Sequence, residues 1–237
     1  MKNNLKIKET ESFVLQYDSS LEKFIEKSLE IANEKLPTIE NLFNCNRNEI
    51  GKIKASFFTN REDFVSYIQS ITNGHTPPAW ASGCFYNNEI QTLLDIYSPQ
   101  KMEYKTHTLT HEYTHLVIDK QIYQKYNIQR IRWFDESFAN YLDGSQDSYS
   151  AETIKILCDR LKNLSEFDLN ILNDINKTVT DSYNGYDMFI LVGRYIFENN
   201  LENEILDDFS KSADLVEKRG KTILADALEY LKEKYSL

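Results

Sequence analysis

His111-Glu112-Tyr113-Thr114-His115 places two imidazoles four residues apart, with a carboxylate beside the first. On a helix, residues four apart differ by about 40° around the axis and about 6 Å along it. Two imidazoles so spaced can converge on one ion. Zinc suits them, because it takes neutral imidazole and lowers the pKa of its water to about 7. Glu112 is displaced around the helix from the pair, where it reaches a water beside the ion instead of the ion. A carboxylate so placed can take the proton of that water as it attacks a carbonyl.

A hydrolytic zinc site needs a third protein ligand and keeps one position open. Trp133-Phe134-Asp135-Glu136-Ser137-Phe138-Ala139-Asn140-Tyr141 supplies the candidate, Glu136. On a second helix, Phe134, Phe138, Tyr141 and Leu142 form an apolar stripe, and Glu136 points roughly opposite it. Asp135 is the rival ligand, and the register favours Glu136. Ala139 is small enough to let another helix approach. Asn140 shares the face of Glu136 and could orient a ligand imidazole. His107, one turn before His111, reads as an exposed or hydrogen-bonded histidine. His75 lies in the loop Asn73-Gly74-His75-Thr76 with no assigned role.

The elements that must position these residues follow from periodicity. Leu5 to Tyr17 reads as one or two strands, since Phe13, Leu15 and Tyr17 alternate. Ser19 or Ser20 can cap a helix running towards Phe43, with Pro37 breaking or restarting it. Lys52 to Phe58 alternates as a strand, and Asn60 caps a short helix carrying Phe64, Tyr67 and Ile68. Trp80 to Tyr86 and Glu89 to Ile96 read as strands joined by the turn Asn87-Asn88. Helical periodicity then predicts helices over 102–120, 133–143, 151–163, 183–199, 202–213 and 214–234. The first of these carries an apolar stripe, Leu109, Tyr113, Leu116 and Val117, on the side away from the His pair. Strands first and helices later predict an α+β fold. Its expected parts are an N-terminal lobe over 1–120 with a mixed sheet and helices, ending in the metal-binding helix, and an all-helical lobe over 121–237.

H-E-Y-T-H followed by W-F-D-E-S-F-A-N-Y resembles the gluzincin metallopeptidases, the group of thermolysin-like and aminopeptidase-N-like enzymes. It is most similar to bacterial members with W-x-x-E-[GS]-[FL]-A-x-Y after H-E-x-x-H. The resemblance covers roughly residues 78–200. It implies a zincin-like fold with its cleft between the lobes, one zinc per chain, and hydrolysis of peptide bonds in a peptide or protein substrate. It makes Glu136 the third ligand beside His111 and His115, with Glu112 as the base. Twenty residues (116–135) separate His115 from Glu136, slightly more than in the best-known branches. Trp80-Ala81-Ser82-Gly83-Cys84 and the strand after it resemble the edge strand that pairs with extended peptides in this group, with Gly83 admitting the substrate backbone; an ordinary hairpin is the other reading. A tyrosine often opens the helix that stabilises the oxyanion. Tyr186, with Tyr195 nine residues on, fits that place, Tyr183 is the alternative, and a core role for Tyr186 stays open. The G-A-M-E-N motif of aminopeptidases is absent, so no N-terminal specificity is assigned.

Composition bounds the rest. With 237 residues, 41% hydrophobic and including 15 Tyr and 13 Phe, the chain can build a core without staples. A formal net charge of −10 argues against nucleic-acid binding and against docking on anionic membranes. By steering, it weakly favours basic substrates. Cys45, Cys84 and Cys158 are widely spaced, which fits neither a disulfide framework nor a thiolate zinc site. Neither a signal peptide nor an 18-residue apolar run is visible, and a cytoplasmic protein is the simplest expectation. Two other functions compete with hydrolysis: a degenerate scaffold and a structural zinc site. The complete set of three ligands and a base disfavours the first. The lack of a fourth ligand disfavours the second.

Overall fold

The computed structural model describes residues 5–79, 81–86, 89–164, 167–168, 172, 177–180 and 183–236, with backbone alone at 84, 85, 179, 180 and 183. Trp80, the Asn87-Asn88 turn and the Tyr183 side chain, all named above, lie outside the described residues. The chain divides into two compact units, 1–116 and 117–237. Among the described residues, no helix is long and apolar enough to cross a membrane.

The first unit is built on a five-stranded mixed sheet in the order β1-β2-β3-β5-β4. Its strands are β1 (Leu5–Glu9), β2 (Phe13–Asp18), β3 (Ile53–Phe58), β4 (Gly83–Tyr86) and β5 (Glu89–Leu93). The centre is parallel, with Phe13 opposite Ile53 and Ala55 opposite Ile90; both edges are antiparallel. Alternation in β2 buries Phe13, Leu15 and Tyr17, as the sequence predicts. The edge strand β1 instead leaves Leu5 61% and Ile7 71% exposed.

Helix α1 (Glu22–Leu42) runs unbroken through Pro37, against the expected break. Pro37 removes one helical donor, at a cost of up to about 3 kcal/mol. Leu36 and Ile39 beside it are fully buried, and that packing offsets the lost bond. A 3-10 turn (Ser19–Leu21) leads into α1 and is capped by Asp18, whose carboxylate accepts from the Ser20 N–H at 2.9 Å; among the described residues, α1 itself has no side-chain cap, from either serine or any other residue. A short turn, α2 (Arg47–Ile50), follows. Helix α3 (Arg61–Ile71) is capped by Asn60, which accepts from the Asp63 N–H at 2.8 Å.

Neighbouring residues of a strand face opposite sides of the sheet. Phe57 meets Phe24 of α1 with ring centroids 5.6 Å apart, and Phe58 meets Phe64 of α3 at 5.9 Å. These two helices therefore cover opposite faces. The single helix expected over 102–120 is two, α4 (Pro99–Lys105) and α5 (Thr108–Ile118). At the break, the Thr106 hydroxyl donates back to the Glu103 carbonyl at 2.6 Å, a local bond that competes with helix continuation. Tyr113 of α5 meets Phe13 at 6.2 Å, and Phe13 shares the face of Phe57, so α5 lies on the α1 side. Its hydroxyl donates to Glu40 of α1 at 2.7 Å.

In the second unit, Asp119–Gln124 forms a wide π-helical turn. Helices α6 (Arg132–Leu142), α7 (Ala151–Leu161), α8 (Gly185–Glu198), α9 (Glu202–Lys211), α10 (Ala213–Gly220) and α11 (Ile223–Lys234) follow. The unit is not all helix: β6 (Val179–Thr180) and β7 (Tyr183–Asn184) pair into a small antiparallel ribbon before α8. The helix expected over 214–234 divides at Lys221-Thr222. Gly220, which ends α10, lies so close to the Trp133 indole that a Cβ there would sit 2.4 Å from its Nε1.

Helices α6 and α8 approach closely. Phe138 and Tyr141 of α6 both meet Phe197 of α8, at 5.1 and 4.3 Å. At Gly193 a Cβ would lie 2.4 Å from the Ser137 carbonyl oxygen. Phe134 meets Phe209 of α9 at 4.7 Å. Every side chain of α6 from Trp133 to Asn140 is buried.

Candidate metal centre

Helix α5 presents two unlike faces. Leu109, Tyr113, Leu116 and Val117 are at most 2% exposed, so the apolar stripe is core. His111, Glu112 and His115 are half-buried. The two imidazoles stand edge to face, ring centroids 4.7 Å apart, with their Nε2 atoms separated by 3.1 Å. Zinc–nitrogen bonds of 2.0–2.1 Å at a tetrahedral angle put the two nitrogens about 3.4 Å apart. The observed spacing differs from that by a few tenths of an ångström.

Glu136 completes the group. One ligand atom each from His111, His115 and Glu136 lies within 4.8 Å of the others. The group includes Glu136 and not Asp135. Two imidazole nitrogens and one carboxylate oxygen are a donor set that suits zinc, and three protein ligands leave a position open. This arrangement could hold a metal ion.

Glu136 is only 5% exposed and Asp135 only 2%. Burying two adjacent carboxylates is costly unless a cation meets them. Arg130 does so: its Nε donates to Asp135 Oδ2, and its Nη2 donates to Glu136 Oε1 at 3.1 Å. Burial alone would lower the pKa of Arg130. Asp135 and Glu136 outweigh it and hold the guanidinium above its usual range. Arg132 adds a second positive charge 3.9 Å from the same Glu136 oxygen. A carboxylate offers two oxygens and about four lone-pair sites, so bonding to Arg130 does not prevent Glu136 from ligating.

The π-helical turn helps set this end of α6. Tyr123 is buried, its hydroxyl donates to the Ile131 carbonyl at 3.2 Å, and it accepts from the Ile131 N–H at 3.2 Å. Ile131 is the residue just before α6. The turn therefore fixes where the helix bearing Glu136 begins.

The remaining expected residues are placed as follows. Asn140 is buried, and its Nδ2 donates to the Glu136 backbone carbonyl at 2.8 Å. Its own carbonyl accepts from Gln146 at 3.0 Å. Asn140 thus supports the helix that carries the ligand. Tyr186 stands in the first turn of α8, half-buried, its ring 5.9 Å from Phe189 and edge-on to it. Asn184 caps that helix, accepting from the Tyr186 N–H at 3.1 Å. Gly185 is required by crowding and not by conformation, since a Cβ would meet Leu172 at 2.7 Å. Gly83 is exposed on the edge strand β4, and a Cβ there would meet nothing closer than 3.8 Å. His107 bridges α4 and α5, its carbonyl accepting from the His111 N–H at 3.0 Å.

Arg130 and Lys105 were not singled out from the sequence. The only signal for the arginines is their position, six and four residues before Glu136, and the second of these is an i, i+4 pair. Lys105 had no signal at all. No protein-family profile matches the chain, and no curated protein matches it. The case for a metal centre therefore rests on the donor atoms themselves.

Proposed function

We propose that this protein is a zinc-dependent metallopeptidase of the gluzincin type, binding one zinc per chain through His111, His115 and Glu136. The observation that carries the proposal is the convergence of these three donors within 4.8 Å, two from H-E-x-x-H and one from a separate helix. A zinc ion held there would supply Lewis-acid polarisation of the substrate carbonyl and a water acidified towards neutrality. Glu112 accepts the proton of the attacking water and passes it to the leaving amine. Tyr186 donates its hydroxyl to the carbonyl oxygen as charge develops there. Gly83 on β4 lines the path of an extended peptide. The zincin-like fold belongs to the same proposal.

The test separates binding from chemistry. Wild type and Glu112→Gln are purified with zinc, assayed for metal by elemental analysis, and incubated with a peptide library read by mass spectrometry. The variant should hold as much zinc as wild type and lose nearly all cleavage. Equal cleavage by both proteins sinks the assignment of Glu112. Zinc binding with no cleavage by either protein points to a scaffold in place of an enzyme.

A further inference from the structure

A pocket of about 760 Å³ opens in the first unit, lined by the start of α3, the end of β5 and helix α4. Such a volume accommodates a side chain with its flanking backbone. Its charged lining is Arg61, Lys101 and Lys105 against Asp95, a local excess of cations in a chain whose net charge is −10. Two of the cations are committed. Arg61 donates to the carbonyls of Ala81 and Pro78, and Lys101 lies 3.0 Å from the Asp95 carboxylate.

Lys105 is different. It is half-buried and, among the described residues, no acceptor lies within hydrogen-bonding distance of its ammonium. Burial pushes its amine below the usual lysine range, and the one charge that opposes this is Glu112. A partly desolvated cation without a hydrogen-bond partner costs stability. Such local costs concentrate where a ligand supplies the missing partner. Lys105 ends α4 and Glu112 lies seven residues on, in α5, so the pocket and the base of the proposed reaction are carried by consecutive helices.

We propose that the pocket recognises a carboxylate on the substrate, an Asp or Glu side chain or a chain-terminal carboxylate, with Lys105 as the residue that binds it. This rests on the peptidase reading, with Glu112 beside the scissile bond. It also departs from the expectation, drawn from net charge, of basic substrates: a single aligned ammonium acts at contact distance, whereas the global field is screened within about 8–10 Å.

The probes are three blocked peptides: N-acetyl-Gly-Asp-Gly-amide, N-acetyl-Gly-Asn-Gly-amide, and N-acetyl-Gly-Gly-Gly with a free C-terminal carboxylate. Binding is measured by calorimetry, with and without zinc, to wild type, Lys105→Met, Lys105→Arg and, as a control, Lys54→Met, an exposed lysine outside the pocket. At least one carboxylate peptide should bind wild type about tenfold more tightly than the Asn peptide. Whichever carboxylate wins identifies the source. Lys105→Met should bring the carboxylate and Asn peptides within twofold, Lys105→Arg should keep the preference, and Lys54→Met should change little. Lys105→Met should melt at or above the wild-type temperature; if it melts lower, Lys105→Gln supplies the same comparison. Equal binding of the Asn peptide, or a preference that survives loss of Lys105, overturns the proposal. Library cleavage without any acidic preference overturns it while leaving the peptidase standing. Carboxylate binding lost in Lys105→Met, with no cleavage of any peptide, sinks the peptidase and keeps the pocket.

Discussion

Gly193→Ala adds one methyl at the closest approach of α6 and α8. The new Cβ would start 2.4 Å from the Ser137 carbonyl oxygen and 3.3 Å from the Tyr141 Cβ. Ordinary carbon–oxygen contact is about 3.3–3.6 Å, so the helices must part by about 0.9 Å at that point. Two effects oppose each other. Alanine favours a helix interior over glycine by about 1 kcal/mol. Overpacking costs about 1–3 kcal/mol, and a backbone carbonyl that cannot swing aside places this site at the upper end. The net is a loss of about 2 kcal/mol. For a chain of this size that lowers Tm by about 4–8 °C. Glu136 immediately precedes Ser137, so zinc affinity should fall too, although no ligand has been altered. The assay is thermal unfolding by circular dichroism, paired with zinc titration against a competing chelator. Gly83→Ala is the control, because its Cβ meets nothing closer than 3.8 Å; its Tm should stay within about 1 °C. A Gly193→Ala protein as stable as wild type would show that helix propensity wins and that the contact does not set the packing of α6 and α8.

Glu136→Ala should lose most bound zinc by elemental analysis, while Asp135→Ala keeps it; the reverse result would move the ligand to Asp135. Tyr113→Phe removes a hydrogen bond to a charged acceptor, for a loss of about 1.5–3 kcal/mol. The wild-type hydroxyl is pushed above its ordinary pKa by burial and by Glu40, so the folded state binds that proton more tightly than the unfolded state. Its contribution is complete below about pH 10 and is lost as pH rises further. Chemical denaturation at pH 8 and pH 11 should therefore show the gap between wild type and Tyr113→Phe narrowing at the higher pH; a constant gap refutes the assignment. Tyr186→Phe should retain zinc and fold normally, yet lose at least tenfold in rate with less effect on substrate affinity. An unchanged rate returns Tyr186 to a packing role.

What could be read from the sequence was whatever depends on local period. The stripe Leu109, Tyr113, Leu116 and Val117 is buried because residues three and four apart share a helix face, and that spacing is written in the chain. The same holds for the alternation in β2 and for the Asn60 cap. Pro37 misled, because local chemistry disfavours it in a helix while the packing of Leu36 and Ile39 depends on distant partners. The break at Thr106 turned on one hydroxyl rotating back to a carbonyl. Asn140 shares a helix with Glu136, and its amide donates to the Glu136 backbone carbonyl one turn back, a local bond that the spacing of four residues allows. The need for glycine at 185 is not written locally either: the crowding comes from Leu172, 13 residues upstream. Arg130 and Lys105 were invisible because what matters about each is what surrounds it in space. For Arg130 that is two buried carboxylates; for Lys105 it is the lack of any acceptor among the described residues.

Strand β1 has a consequence for how the protein behaves in concentrated solution. An edge strand offers unpaired backbone groups to any other chain, and exposed apolar side chains add a reason to stay. Leu5 and Ile7 supply those side chains on one face. Lys6 and Lys8 alternate with them and reach Glu22 at 2.7 and 3.2 Å. Charged side chains on an edge strand, lysine above all, disfavour its pairing with another chain. These lysines serve as gatekeepers against strand-to-strand aggregation. Their protection is electrostatic and weakens as salt rises. Colloidal stability should therefore decline with ionic strength, and a further charge at position 7 would restore it.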